Sequence, residues 1–210
     1  MAASRTHTAE ESAEMSDPGA GAPPVFRQAV AALQAVRPRP EVSLSPLPPP
    51  RRLAPYAHAL GASVSEGDEE LADGRFVLLH DPAGDDSWGG EFRIVTLARA
   101  DLEPDVATDP LLPEVAWSWL TEALTARAVP LDVPNGTVTR ADSAYFGGLA
   151  DREGRAELEL RASWTPADPA DAAGHLLAWC GLLAQCAGLP PESSGTPVTA
   201  LPRRRGPRPG

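Results

Sequence analysis

The sequence predicts an α+β domain over residues 25–190, an antiparallel sheet of about five strands with three helices, set between two disordered tails. Three observations predict it. Helix-like and strand-like segments follow the order α-β-β-β-α-β-β-α, without the βαβ alternation of a doubly wound parallel sheet. The cleanest strand sets Ala156, Leu158, Leu160, Ala162 and Trp164 against Glu157, Glu159, Arg161 and Ser163. That is the one-face-wet pattern of antiparallel sheets. The two ends, residues 1–24 and 191–210, are rich in Pro, Gly, Ser and charge. They bury too little apolar surface to offset the entropy of ordering.

The elements follow in chain order. A first helix from near Pro24 to about Val36 places Phe26, Ala29, Val30, Leu33 and Val36 on one stripe, and Pro38 and Pro40 stop it. Residues 38–55 are proline-rich and read as an extended connector with room for a short edge strand at Glu41–Leu44. Strands are expected at Tyr56–Ser65, Arg75–Leu79 and Glu91–Ala100, with an acidic loop at Glu66–Asp73. The last two should pair as a hairpin whose long tip is Asp81–Gly90. In Glu91–Ala100, Phe92, Ile94, Thr96 and Ala98 alternate with Arg93, Val95, Leu97 and Arg99.

A second helix is announced by Asp109-Pro110 and runs to about Arg127. Its apolar positions span roughly 200°, twice the arc of about 100° that packing on one sheet requires. Trp117, Leu120 and Leu124 lie on the excess side, so a second covering surface is expected there. Asn135-Gly136 reads as a turn, Thr137–Phe146 as a strand, and Gly147-Gly148 as a tight bend. A third helix opens at Asp168-Pro169 and ends at Gly188 and Pro190. It is apolar nearly all round and should be central.

Composition restricts function. There is no lysine, and all 18 basic residues are arginine, as a GC-rich coding bias would produce. The formal net charge is −11, and residues 25–190 hold 13 Arg against 24 Asp and Glu. So acidic a body repels phosphate backbones and anionic membrane surfaces, which argues against nucleic acid and membrane as ligands. The basic cluster Arg203, Arg204, Arg205 and Arg208 reads as a solvated tail. Cys180 and Cys186 are the only cysteines and form no disulfide framework. On a helix they are separated by about 240° and read as small buried residues. Met1–Met15 lacks the apolar core of a signal peptide, and no apolar run reaches membrane-spanning length. The expected location is the cytoplasm.

Motifs for chemistry are sparse. Phosphate-loop, dinucleotide, serine-hydrolase and zinc-protease patterns are absent. His58 and His175 have no partner at metal-ligand spacing. The only polar constellation is His80, Asp81, Asp85, Asp86 and Glu91, which becomes a site only if these groups converge in a pocket. It lacks a calcium-loop frame, and a solvated hairpin tip is the plainer reading. Trp88 sits in a loop rich in Gly and Asp, where no local pattern buries it. An aromatic there is either a contact site or folded back over the sheet edge.

The element order resembles the type III secretion chaperone-like fold, a curved antiparallel sheet with helices packed on it and often dimeric. Longer stretches are more specific: Arg-Leu-Ala-Pro-Tyr-Ala at 52–57, Asp-Gly-Arg-Phe-Val-Leu-Leu-His-Asp-Pro at 73–82, Asp-Pro-Leu-Leu-Pro-Glu-Val-Ala-Trp-Ser-Trp-Leu at 109–120, Tyr-Phe-Gly-Gly-Leu at 145–149 and Arg-Ala-Ser-Trp-Thr-Pro at 161–166. Together they resemble an actinobacterial family of uncharacterised proteins, over most of residues 25–190. That resemblance implies a bacterial, cytoplasmic, single-domain protein and supplies no activity. The resulting expectation is a non-catalytic protein-interaction domain, adaptor-like or chaperone-like. It has a protein partner, a second copy of the chain among the candidates, and no cofactor or metal. Trp88, Trp117, Leu120 and Leu124 are the expected contact residues. The alternative is an enzyme, or a protein binding a small ligand or metal, using the loop of His80, Asp81, Asp85, Asp86 and Glu91.

Overall fold

The computed structural model describes residues 21–127 and 129–190. Both expected tails, residues 1–20 and 191–210, lie outside the described residues. Gly21–Pro24, assigned to the first tail on composition, belongs to the fold: Ala22 is buried in the core. Helix α1 is Pro24–Ala35, with proline at its first position, where a missing N–H costs nothing. Phe26, Ala29 and Leu33 form its buried stripe.

The sheet has six strands rather than five: β1 Val42–Leu47, β2 Tyr56–Glu66, β3 Glu69–Asp85, β4 Gly90–Leu102, β5 Leu131–Ser143 and β6 Arg155–Pro166. All neighbours are antiparallel, in the order β1-β2-β3-β4-β6-β5. The sixth, β1, is the edge strand for which Glu41–Leu44 left room, running on to Leu47; it covers the edge of β2 and tolerates Pro46 because no described strand pairs with its outer side. The expected acidic loop at Glu66–Asp73 is instead a two-residue turn at Gly67-Asp68, with Gly67 at φ +64°. Glu69, Glu70 and Asp73 then continue β3, because charged side chains can stay in water on a strand paired at both edges.

Helix α2 is Leu112–Ala126 and α3 is Ala172–Cys186. A single helical turn at Pro104–Ala107 and two short 3₁₀ turns, Gly147–Leu149 and Pro169–Asp171, complete the described elements. Asp109 does not cap α2; its carboxylate accepts from the Leu111 N–H at 2.8 Å, shaping the turn before the helix. Helix α3 packs against α1, α2, β3 and β4, which accounts for its apolar surface. Leu176, Trp179, Leu182 and Leu183 are fully buried.

Chain order and sheet order part company at the end. After β4, helix α2 carries the chain across one face, so β5 forms the outer edge and β6 returns between β4 and β5. Composition selects this arrangement. Strand β6 buries Leu158, Leu160, Ala162 and Trp164, whereas nearly every residue of β5 is exposed. All three helices lie on one face, above Val64, Phe76, Leu78, Ile94, Ala98, Leu158, Leu160 and Trp164. The opposite face has only a small cluster of Ala59, Val77 and Leu79, packed by Leu47, Ala54, Ala57, Trp88 and Val95.

Candidate functional site

The open face of the sheet is built by strand alternation. In Phe92–Arg99 the even positions face the helices, and Arg93, Val95, Leu97 and Arg99 face the other way. Register then sets two rows across four strands. One row is Arg75, Leu97, Arg161 and Thr137; the next is Val77, Val95, Ser163 and Asn135. Strands lie about 4.8 Å apart, so the Arg75 and Arg161 backbones stand about 10 Å apart, on either side of Leu97. These rows line a groove of about 380 Å³ with an apolar floor of Val77, Val95 and Leu97. No Asp or Glu lines it, although the chain carries a net charge of −11.

Charge in the groove is weakly compensated. The Arg75 guanidinium has no hydrogen-bond or ion-pair partner among the described residues, while its backbone pairs with β2 and β4. Arg161 donates from Nε to Glu159 at 2.7 Å, but Glu159 also accepts from Arg99 at 3.0 Å. Two guanidinium groups thus share one carboxylate, and they hold Glu159 below the usual carboxylate range. At one end, Arg93 is only 5% exposed. Its guanidinium donates to Ser163 Oγ at 2.8 Å, Thr165 Oγ1 at 3.0 Å and the Val133 carbonyl at 3.2 Å. Burial lowers its pKa, yet a guanidinium stays charged, and among the described residues no carboxylate pairs with it. Ser163 in turn donates to Asn135 Oδ1 at 2.9 Å, fixing that rim of the groove.

The constellation of His80, Asp81, Asp85, Asp86 and Glu91 is not brought together. His80 points under α1, buried, with its ring stacked on Phe92 at 4.1 Å between centroids and flanked by Phe26 and Tyr56. Its Nδ1 lies 3.2 Å from the Glu91 carbonyl, which can only accept, so Nδ1 carries the proton. Asp81 accepts from the Ala83 N–H at 2.9 Å, and Asp85 accepts from the Ser87 N–H at 2.7 Å. The Ser87 bonds hold Asp85 below its ordinary pKa. These carboxylates shape the hairpin tip, while Asp86 and Glu91 face solvent. Among the described residues no group of three His, Cys, Asp or Glu converges as for a metal ion.

A family model described as "Protein of unknown function (DUF3000)" matches residues 22–196. The chain belongs to this family. No curated protein and no solved structure matches it. The five stretches that carry the sequence resemblance all fall inside the DUF3000 match.

In this DUF3000 chain the expected contact residues separate into two groups. Leu120 and Leu124 are 1% and 2% exposed, covered by the chain itself. Trp117 is half-buried, and its ring lies over Gly136, where an added Cβ would come within 2.7 Å of Trp117 Cζ3. The wide apolar arc of α2 is therefore accounted for by α3 on one side and β5 on the other. The second covering surface expected for this arc thus comes, at Leu120 and Leu124, from the chain itself. Trp88 takes the folded-back option: it is half-buried on the open face and packs against the cluster of Ala59, Val77 and Leu79. Sequence reasoning missed Arg75, Leu97 and Arg161 as a set. Each was visible as one side of an alternating strand, but their alignment depends on inter-strand register.

A second hollow of about 670 Å³ lies between α2 and α3, lined in part by Arg39, Glu122, Leu177, Gln185 and Pro190. It opens at Pro190, where the described residues end. No helix among the described residues is long and apolar enough to cross a membrane.

Proposed function

We propose that this DUF3000 chain is a non-catalytic protein-interaction domain that docks an extended, acidic and apolar segment of a partner protein on the open face of its sheet. The observation that carries the reading is charge complementarity. An acidic chain has placed Arg75 and Arg161 beside an apolar strip of Val77, Val95 and Leu97, with no acid in the lining. An extended segment that alternates carboxylates with apolar side chains matches both features, since its period of two fits the floor and the rims together. An adaptor-like or chaperone-like role of this kind is in line with the element order, which resembles the type III secretion chaperone-like fold. A cytoplasmic setting suits Cys180 and Cys186, both of which are buried thiols, with the Cys186 thiol pushed up to about 12 by burial.

The test is site-specific photo-crosslinking of the full chain in its native cell. A photoreactive residue replaces Thr137, at the rim of the groove, or Glu122, on the helical side. The Thr137 position is expected to capture a protein through a segment rich in Asp, Glu and apolar residues. The double variant Arg75→Glu with Arg161→Glu is expected to reduce that capture at least tenfold. No Thr137-specific adduct, or one that survives the double variant, would overturn the proposal.

A further inference from the structure

We infer that strand β5 is a homodimer seam, on which a second copy of the chain extends the sheet across a two-fold axis at Ala141. The inference goes beyond the groove and uses a different surface. Strand β5 ends the sheet, and among the described residues no strand pairs with its outer side. Natural edge strands are protected by proline, bulges, shortness or inward charges. In β5 a proline and a bulge stand only at the start, where Pro134 sits in a register shift between Asp132 and Asn135, and the charges Arg140 and Asp142 share the face of Val138. The nine residues Asn135–Ser143 contain no proline and run in unbroken register beside β6.

The occupant is specified by self-complementarity. In an antiparallel pair centred on Ala141, Arg140 of each copy faces Asp142 of the other, and Thr139 faces Ser143. Within the regular stretch Asn135–Ser143 no other centre keeps the charge match: a two-fold at Arg140 or Asp142 sets like charges directly opposite each other, which destabilises a pair, and a centre at Gly136 would set Arg140 against Asp132 only across the register shift. Within one chain Arg140 and Asp142 are only loosely paired, at 3.8 Å; the Asp142 side chain is largely exposed, and the Arg140 side chain is partly covered and also donates to the Asp109 carbonyl at 3.4 Å. Carried three residues past the end of β5 at Ser143, the same spacing would bring Phe146 toward Gly136 of the partner and the half-buried Trp117 ring. Phe146 is 81% exposed and Leu149 is 46% exposed, and both directly follow β5. The seam thus has a charge-matched centre and apolar ends. It joins two six-stranded sheets into one continuous sheet and places the two grooves on the same side.

Sedimentation equilibrium of the full chain tests it. The wild type is expected to dimerise. Arg140→Asp is expected to raise the dimer dissociation constant roughly tenfold or more, because two attractive pairs become repulsive. Adding Asp142→Arg to that variant swaps the charges and is expected to restore the dimer. Ala141→Cys places two thiols opposite each other at about 5 Å between Cα atoms, within disulfide reach. It should therefore link the copies on mild oxidation, and Thr139→Cys alone should not. A monomeric wild type at high micromolar concentration, no rescue by the double swap, or equal linking at both positions overturns the inference. Because the readout is oligomeric state and not capture of a partner, it fails or succeeds separately from the groove.

Discussion

Gly74 and Gly136 show how a single missing side chain sets the packing of an element. An added Cβ at Gly74 would strike the Leu97 carbonyl and come within 2.7 Å of Trp179 Cζ2. At Gly136 it would strike the Arg161 carbonyl and the Trp117 ring. Backbone cannot yield here, so Gly74→Ala and Gly136→Ala are each expected to lower stability by about 1–3 kcal/mol in urea denaturation. Gly148→Ala, with open space around it, should change it by less than about 0.5 kcal/mol.

His175 is the residue through which pH reaches the core. It is fully buried and its Nδ1 accepts from Trp164 Nε1 at 3.2 Å, so the neutral ring is required. Burial pulls its pKa down to about 4, partly opposed by Asp171. The unfolded ring, near 6.5, takes up a proton first as pH falls. Stability is therefore complete above about pH 6.5 and declines between there and pH 4. Unfolding free energies at pH 7.5 and 5.0 should differ by roughly 2 kcal/mol from this group alone. His58, also lowered by burial, acts in the same direction. In His175→Gln most of the difference should disappear, since a glutamine oxygen can still accept from Trp164.

At the level of elements, α2 carries the clearest lesson. Its width was legible in the sequence from Leu112, Ala116, Trp117, Leu120 and Leu124. What covers the second side was not legible, because β5 reaches it only after crossing the sheet and because Gly136, read locally as a turn residue, is the seat for Trp117. The chain's own coverage has a measurable consequence. Leu120→Ala is expected to destabilise the fold by about 2–5 kcal/mol, as a cavity in a closed core does. Val115→Ala, on the exposed side of the same helix, should cost less than about 1 kcal/mol. Equal small effects at both positions would mean that Leu120 is not enclosed. Strand β3 carries a second lesson. Its acidic start looked like a loop because charge was weighed above pairing, whereas the Gly67 turn leaves Glu69 and Glu70 free to pair with β2.

For the whole molecule, the decisive feature is asymmetry. Among the described residues three helices cover one face of the sheet, and no helix packs on the other face and no strand on the outer side of β5. The acidic residues lie around the open groove and none lines it, so the surface as a whole repels anions while one strip attracts them. A partner held this way should leave as salt rises, because Arg75 and Arg161 sit within reach of screening ions. Joining two chains along β5 would remove the longer of the sheet's two edges, the usual liability of an open antiparallel sheet, and leave the short edge β1.

The sequence by itself determined the class of fold, the three helices, the alternating faces of β4 and β6 and the centrality of α3. All of these follow from short-range periodicity, which a chain carries in its own order of residues. Only the tertiary structure decided that β6 lies between β4 and β5, that Trp117 rests on Gly136, that His80 turns away from its neighbouring carboxylates, and that Arg75, Leu97 and Arg161 share one row. Each of these depends on contacts between residues distant in sequence. Register and crossover, which no local pattern encodes, set those contacts.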